Sequence, residues 1–470
     1  MPDLRERIDA GDLSFLDGVG LLGALASQRW FGAKSRDVLD ARVVTAAIAP
    51  GGAPVLALAI VEVRFGLQTH ELYQLALGFR PAADGWEEEV VAEQGGWIVY
   101  DALADPQLAR ELVNLVRQES TLRLPEASIS FHAVPGLSER VGELDRVWPM
   151  GAEQSNSSLV LDDRLVLKLY RRLEAGTNPE LELLRFLTEK GYDNIAALEG
   201  WAQLQGRPMD ATLAILQRFV PSSGDGWDLT LESFEDDPSW LPARARRLGE
   251  VTGELHTVLG SDSSEPSFAP DEPSAEALAL LSASVDEEIE QVFLALPDNE
   301  AVAPIAGRGE EVRDRLRLLT HVGPVGRVIR HHGDYHLGQV LWGDEEDWVV
   351  LDFEGEPARA FPERRRKASP LRDIAGMLRS FAYVASAAPI LLGVEVPSGW
   401  EERCRQAFLD GYVAAVDSSL LPAGEEGIAR LLSVFELEKA VYELRYELDN
   451  RPTWVEIPVA GILRILESPL

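Results

Sequence analysis

The sequence predicts an α+β architecture of two lobes behind an extra N-terminal cap subdomain. Three observations predict it. The chain has 470 residues, too many for one hydrophobic core, so two or three domains are expected. Its first half carries short β-type runs broken by turn residues, and its second half carries helical periodicity. Between them lies a Pro/Ser/Gly connector, "VPSSGDGWD", which places a lobe boundary near 219–226. The expected divisions are 1–95 for the cap, 96–222 for a β-rich lobe and 223–470 for a mainly helical lobe.

In the cap, "ARVVTAAIAP", "APVLALAIVEVRF" and "ELYQLALGFR" read as strands. "SQRWFGAKSRDV", from Ser27, reads more simply as a helix end packing its own aromatics than as a partner surface. A helical stretch follows at about 100–120. "SSLVL" and "RLVLKLY" flank the turn "DDR" and form a hairpin. The next helix has a marked start, with Asn178 as N-cap, Pro179 at the first position and Glu180 in the first turn. Leu181, Leu184 and Leu187 share a face, and Gly191 closes it. The Ser/Pro/acidic segment at 260–275 reads as a surface loop.

The net charge of -34 disfavours nucleic acid and anionic membrane as partners. One cysteine, Cys404, excludes an intrachain disulfide and a cysteine-based zinc site. No signal-peptide pattern stands at the start, and no run reaches about 18 apolar residues, so a cytoplasmic protein is expected.

The densest chemistry is "RVIRHHGDYHLGQVLWGDEEDWVVLDFEGEP", Arg327 to Pro357. "RVIR", "QVLW" and "WVVLDF" read as strands, the last two joined by the turn "GDEED". Pairing across that turn sets Gln339 opposite residues 351–352, close to Asp352. Asp334 stands in the loop leading in. Two carboxylates and an amide oxygen then converge, a hard donor set that suits Mg²⁺ shared with a phosphate. Zinc held by His331, His332 and His336 is disfavoured, because Gly333 and the flanking strands argue against the helix that would gather them. No G-x-x-x-x-G-K-[ST] is present, so the chain is not a P-loop enzyme.

These motifs carry a resemblance. "HGDYHLGQVL" followed by "LDFEG" resembles the catalytic loop and metal motif of the aminoglycoside-phosphotransferase-like kinases. "RWFGAKSR", "QSNSSLVL", "LVLKLYRRLEAGTNPELEL", "LDFEGEPARAFPERRRKASPLRDIAGMLRSF" and "ELEKAVYELRYELDNRPTWVEIP" together resemble the maltokinases among them, over essentially the whole chain. The resemblance implies a bilobal protein-kinase-like fold and ATP-dependent phosphorylation of maltose at its anomeric hydroxyl, giving maltose 1-phosphate for α-glucan synthesis. It implies Asp334 as the catalytic aspartate, with Gln339 and Asp352 as Mg²⁺ ligands. Lys168 resembles the lysine that grips the nucleotide phosphates, paired with Glu180 or Glu182; spacing does not choose between them. Ser155, Asn156, Ser157 and Ser158 belong to the phosphate-covering turn, and Gln217 and Phe219 to the adenine hinge. On the sugar side it implies Asp334, His336, Gln339 and Glu354, with Glu438, Lys439, Tyr442, Glu443 and Trp454 from the C-terminal helix and the turn after it. The indole suits stacking on a pyranose, and carboxylates accept from sugar hydroxyls. For Glu438 and Tyr442 a solvated helix face is an equal reading.

"PERRRKASPLRD" (362–373) is either a surface cluster or a neutraliser of the nearby carboxylates and product phosphate. Related alternatives are a glucosamine or other amino-sugar kinase, an aminoglycoside kinase, and a silent kinase-shaped partner of trehalose synthase. A monomer or weak dimer is expected.

Overall fold

In the computed structural model the described residues are 4–34, 36–66, 69–151, 156–320, 325–357 and 359–467. The chain divides into two compact units, residues 1–185 with 196–220, and residues 186–195 with 221–470.

The first unit is built on two antiparallel sheets. One contains β1 (Val38–Ile48), β2 (Val55–Phe65), β3 (His70–Pro81), β4 (Val90–Gln94) and β5 (Trp97–Asp101), in the order β1-β2-β3-β5-β4. The other contains β6 (Thr121–Arg123), β7 (Ala127–Ala133), β8 (Val147–Pro149), β9 (Asn156–Leu161), β10 (Leu165–Tyr170), β12 (Leu198–Gly206) and β13 (Ala211–Arg218), in the order β6-β7-β12-β13-β10-β9-β8. The short β11 (Arg172–Leu173) leaves the second sheet's chain to pair with β3. β2 shows why its sequence is almost continuously apolar. Its side chains alternate between two faces. Ala57, Ala59, Val61 and Val63 pack with Leu21, Leu25, Trp30 and Phe31, whereas Leu56, Leu58 and Ile60 pack with Leu112, Val116, Leu167 and Leu213. Both faces are covered, so both must be apolar. The Trp30–Phe31 pair is therefore core, as the plainer sequence reading has it.

The expected hairpin is β9–β10, with Lys168 opposite Ser158 and Leu169 opposite Ser157. The capped helix runs Pro179–Glu189, and Asn178 Oδ1 accepts the Glu180 N–H at 2.8 Å.

The second unit is mainly helical. Its helices Trp240–Leu259 and Trp400–Ala415 cross at glycines. A Cβ on Gly249 would stand 2.0 Å from the Phe408 carbonyl oxygen, and one on Gly411 2.0 Å from that of Arg246. The helix Leu371–Leu391 has the length and composition of a membrane span, but most of it is buried, as in a core helix. A second apolar cluster joins the helices Ala275–Leu294, Gly309–Thr320, Gly424–Asn450 and Glu456–Glu467. On the long C-terminal helix Val434, Leu437, Val441 and Leu444 are buried in it, as the sequence stripe requires.

The connector is not irregular. Ser222–Asp225 forms β14, which pairs with β15 (Val340–Gly343), and β15 pairs with β16 (Trp348–Val350). Its small polar residues resemble a linker, but β15 offers a free edge that supplies their backbone partners. "RVIR" is not a strand either. Val328 and Ile329 make two isolated bridges, to Asp271 and Ala368.

Candidate active site

The two units each carry one group of candidate residues. In the first, the period of β10 puts Leu165, Leu167 and Leu169 into the core and turns Lys168 and Tyr170 to the other face. Lys168 Nζ donates to Glu180 Oε2 at 2.8 Å, and the Tyr170 hydroxyl donates to the same oxygen at 2.7 Å. Gln217 Nε2 approaches Glu180 Oε1 at 3.4 Å. Glu180 is thus the carboxylate in the ion pair, because the Asn178 cap points its turn at β10. Glu182 is half-buried two residues on. Lys168 and Glu180 are both buried, at 7% and 1% exposure, so neither is the solvent-facing strand lysine or helix-surface acid that composition alone suggests. Ser158, opposite Lys168, has a buried hydroxyl with no partner among the described residues. Ser157 accepts from Arg171 Nε at 2.8 Å. Asn156 is buried at the start of β9. Phe219 follows β13 with its N–H bonded to the Arg164 carbonyl. Ser155 lies outside the described residues.

In the second unit, the loop 331–336 is held from behind. Asp373, in the first turn of Leu371–Leu391, accepts the His332 N–H at 2.8 Å and the Gly333 N–H at 2.9 Å. His256 Nε2 lies 3.1 Å from the same carboxylate, and its Nδ1 lies 3.0 Å from the Tyr412 hydroxyl. Burial raises the Asp373 carboxyl, but His331 and the His256 hydrogen bond outweigh it, and the group titrates below the ordinary carboxylate range. His332 takes a defined tautomer. Its Nδ1 accepts the Asp334 N–H at 3.3 Å, so its Nε2–H donates to the Leu351 carbonyl at 2.8 Å. Both nitrogens are used, which leaves none for a metal. Sequence reasoning missed Asp373 and His256. Both are buried, where an unpartnered polar group is costly.

Asp334 and Asp352 follow from this frame. Gly333 and Gly355 stand at φ +86° and +75°, left-handed conformations that glycine adopts without steric cost, so both loops turn here at glycines. Asp352 adopts φ +58°, a conformation that aspartate tolerates better than most residues and that concentrates at functional sites. The register is the expected one. Val340 pairs with Val350, and the Leu351 N–H donates to the Gln339 carbonyl. Gln339 Nε2 then lies 3.2 Å from Asp352 Oδ2. Gln339 itself ends a 3₁₀ turn, Leu337–Gln339, and does not start the strand. Asp352 and Glu354 offer carboxylate oxygens within 4.8 Å of each other. With the Gln339 amide turned oxygen-inward, these are hard oxygen donors that fit Mg²⁺.

His336 caps the 3₁₀ turn, its Nδ1 accepting the Gly338 N–H at 3.1 Å, and burial lowers its pKa. Lys439 reaches this loop from the long helix, with Nζ 3.7 Å from Asp334 Oδ1 and 3.6 Å from Glu356 Oε1. Burial disfavours its charge, but Asp334 and Glu356 outweigh that and raise its pKa. Tyr442 lies beneath Lys439, ring centre at 5.0 Å. Glu438 accepts from Arg372 at 2.9 Å. Glu443 accepts twice from buried Arg379, at 2.9 and 2.7 Å. So Glu438, Lys439 and Glu443 make tertiary ion pairs and do not form a solvated helix face. Trp454 is half-buried in the turn Pro452–Trp454, with the Arg451 guanidinium 4.7 Å over its indole. The basic segment is largely committed. Lys367 bonds Pro266, Ala269 and Asp271, Arg364 bonds backbone carbonyls, and Arg372 holds Glu438.

Comparisons with known proteins give the family and the fold. Residues 148–394 match the phosphotransferase enzyme family, and residues 25–105 match the maltokinase N-terminal cap domain. A glucosamine kinase of Streptacidiphilus jiangxiensis is 24% identical over 413 residues, 84% of this chain and 89% of that protein. One from Mycolicibacterium smegmatis is 24% identical over 331 residues, 68% of this chain and 79% of that protein. The solved structure of a glucosamine kinase in complex with glucosamine, ADP and inorganic phosphate superposes with a TM-score of 0.70 at 19% identity, covering 94% of this chain and 98% of the other.

Proposed function

Because this chain belongs to the phosphotransferase enzyme family and carries a maltokinase-type cap domain, we propose that it is an ATP-dependent sugar kinase whose acceptor is maltose, phosphorylated at the anomeric hydroxyl. The observation that carries this reading is the approach of Gln339 to Asp352 at 3.2 Å at the open end of one hairpin, beside the Asp334 loop that Asp373 clamps. Asp334 orients the acceptor hydroxyl and takes its proton as the bond to phosphorus forms. The His332 ring and the Asp373 clamp hold the Asp334 backbone, so its carboxylate is presented in a fixed direction. Lys168, held extended by Glu180, grips the donor's phosphates, with Asn156, Ser157 and Ser158 as neighbours on the covering strand. Gln217 and Phe219 meet the adenine. Gln339 and Asp352 would hold Mg²⁺, which neutralises phosphate charge when bound. His336, Glu354, Glu438, Tyr442, Glu443 and Trp454 line the sugar.

The product would feed α-glucan (glycogen) synthesis in the cytoplasm, and trehalose synthase is a proposed partner. A second reading, a glucosamine kinase, is favoured by the names of the two relatives. The test is ADP release with Mg²⁺-ATP against maltose, glucose, glucosamine and kanamycin, for wild type and Asp334→Asn. Maltose should be preferred, and turnover should fall by about 10³-fold or more in the variant, the scale of losing a positioned general base. Turnover on kanamycin alone, or an unaffected Asp334→Asn, would refute the proposal.

A further inference from the structure

Four carboxylates on the acceptor side of the second unit are already paired. Asp334 has Lys439 at 3.7 Å. Glu356 has Lys439 at 3.6 Å and Arg359 at 2.5 Å. Glu438 has Arg372 at 2.9 Å, and Glu443 has Arg379 at 2.7 Å. Each of these four carboxylates has a resident cation. What is left over is an acceptor of hydrogen bonds: Glu438 Oε2 is buried and has no donor among the described residues. A hydroxyl satisfies such an atom without adding charge. An ammonium needs a carboxylate of its own, and none of these four is unclaimed.

Resting on the kinase reading above, we propose that Lys439 is a specificity-determining residue. It stands where a substrate ammonium would find its carboxylates, so the acceptor is an uncharged polyol and protonated amino sugars are excluded. The distances support this. A sugar whose reacting hydroxyl faces Asp334 lies within about one pyranose ring of Lys439 Nζ. There the Lys439 charge opposes a substrate ammonium, and Asp334 and Glu356, the carboxylates that would offset it, are already paired with Lys439. Lys439 is also fixed in place. It is packed over Tyr442 and bridges two loops, so it does not swing aside without leaving Asp334 short of a cation.

Glucosamine and glucose differ at one position by an amine for a hydroxyl, which makes them the matched pair for the test. Both are assayed at a pH where the amine is protonated. Wild type should show kcat/KM for glucosamine at least tenfold below that for glucose. In Lys439→Met the glucosamine-to-glucose ratio should rise at least tenfold, even as turnover on both falls through the loss beside Asp334. Lys439→Arg should keep the wild-type ratio. Calorimetric titration of wild type with the two sugars gives the same comparison for binding and does not depend on the variants folding. A ratio unchanged between wild type and Lys439→Met, or equal affinity of wild type for the two sugars, would overturn the role of Lys439 and leave the kinase reading standing. Wild type inactive on every sugar would overturn both.

Discussion

His331 shows how a single residue carries a pH dependence. It precedes the clamped loop, and burial drives its pKa down to about 4, against the pull of Asp373. In the unfolded chain an imidazole titrates near 6.5. Between about 6.5 and about 4 the unfolded state therefore binds a proton that the folded state does not, and stability falls as pH falls through that window. Above it the residue contributes no slope. Denaturant midpoints measured from pH 7 to 4.5 should decline for wild type, and the decline should be shallower in His331→Gln. Equal slopes would mean that His331 is hydrated when folded. The candidate residues differ in how far they could be read from sequence. The approach of Gln339 to Asp352 was legible because hairpin register is set by the turn, and the turn is short. The choice of Glu180 over Glu182 was not. Two residues on a helix differ by about 200° in direction, and only the docked orientation of the helix selects one. Asp373 was hidden for a similar reason: nothing local to "PLRDIAG" says which backbone amides it will meet.

Elements with local punctuation were the legible ones. The Asn178-Pro179-Glu180 start fixed a helix end, and the DDR turn fixed a hairpin. β14 escaped because its strand character is imposed by β15 and not by its own Ser-Ser-Gly-Asp sequence. The helix crossing at Gly249 and Gly411 depends on a tertiary fact of the same kind. Each glycine lets its helix approach the other's backbone, and a methyl group at Gly411 would meet the Arg246 carbonyl oxygen at 2.0 Å. Backbone cannot yield as a side-chain tip does, so Gly411→Ala should force the helices apart and cost about 1–3 kcal/mol as overpacking. Chemical denaturation should show the lost stability. Because Tyr412 on the same helix holds His256, and His256 holds Asp373, turnover should fall along with it. A variant as stable as wild type would mean that the crossing has slack that the backbone distances do not show.

At the scale of the molecule, the chain does not pass from one unit to the other once. Residues 186–195 belong to the second unit, and the chain then returns to the first for β12 and β13. A boundary drawn by composition alone falls near 222 and treats 186–195 as part of the β-rich lobe. The side chains say otherwise. Phe186 stacks on Phe268 with ring centres 3.7 Å apart, Tyr192 donates to the Val251 carbonyl, and Asn194 donates to that of Trp348. Asn194 also accepts the Val350 N–H through its backbone, beside the strand that leads to Asp352. This ten-residue excursion is thus a structural part of the helical unit, although it lies in the middle of the sequence of the other. Phe186→Ala removes a buried ring and should cost about 3–5 kcal/mol. Hydrogen exchange should place that loss in the Trp240–Leu259 helix and in 348–353, with β9, β10 and β13 keeping their protection. Loss confined to β9, β10 and β13 would assign Phe186 to the first unit and return the boundary to the connector.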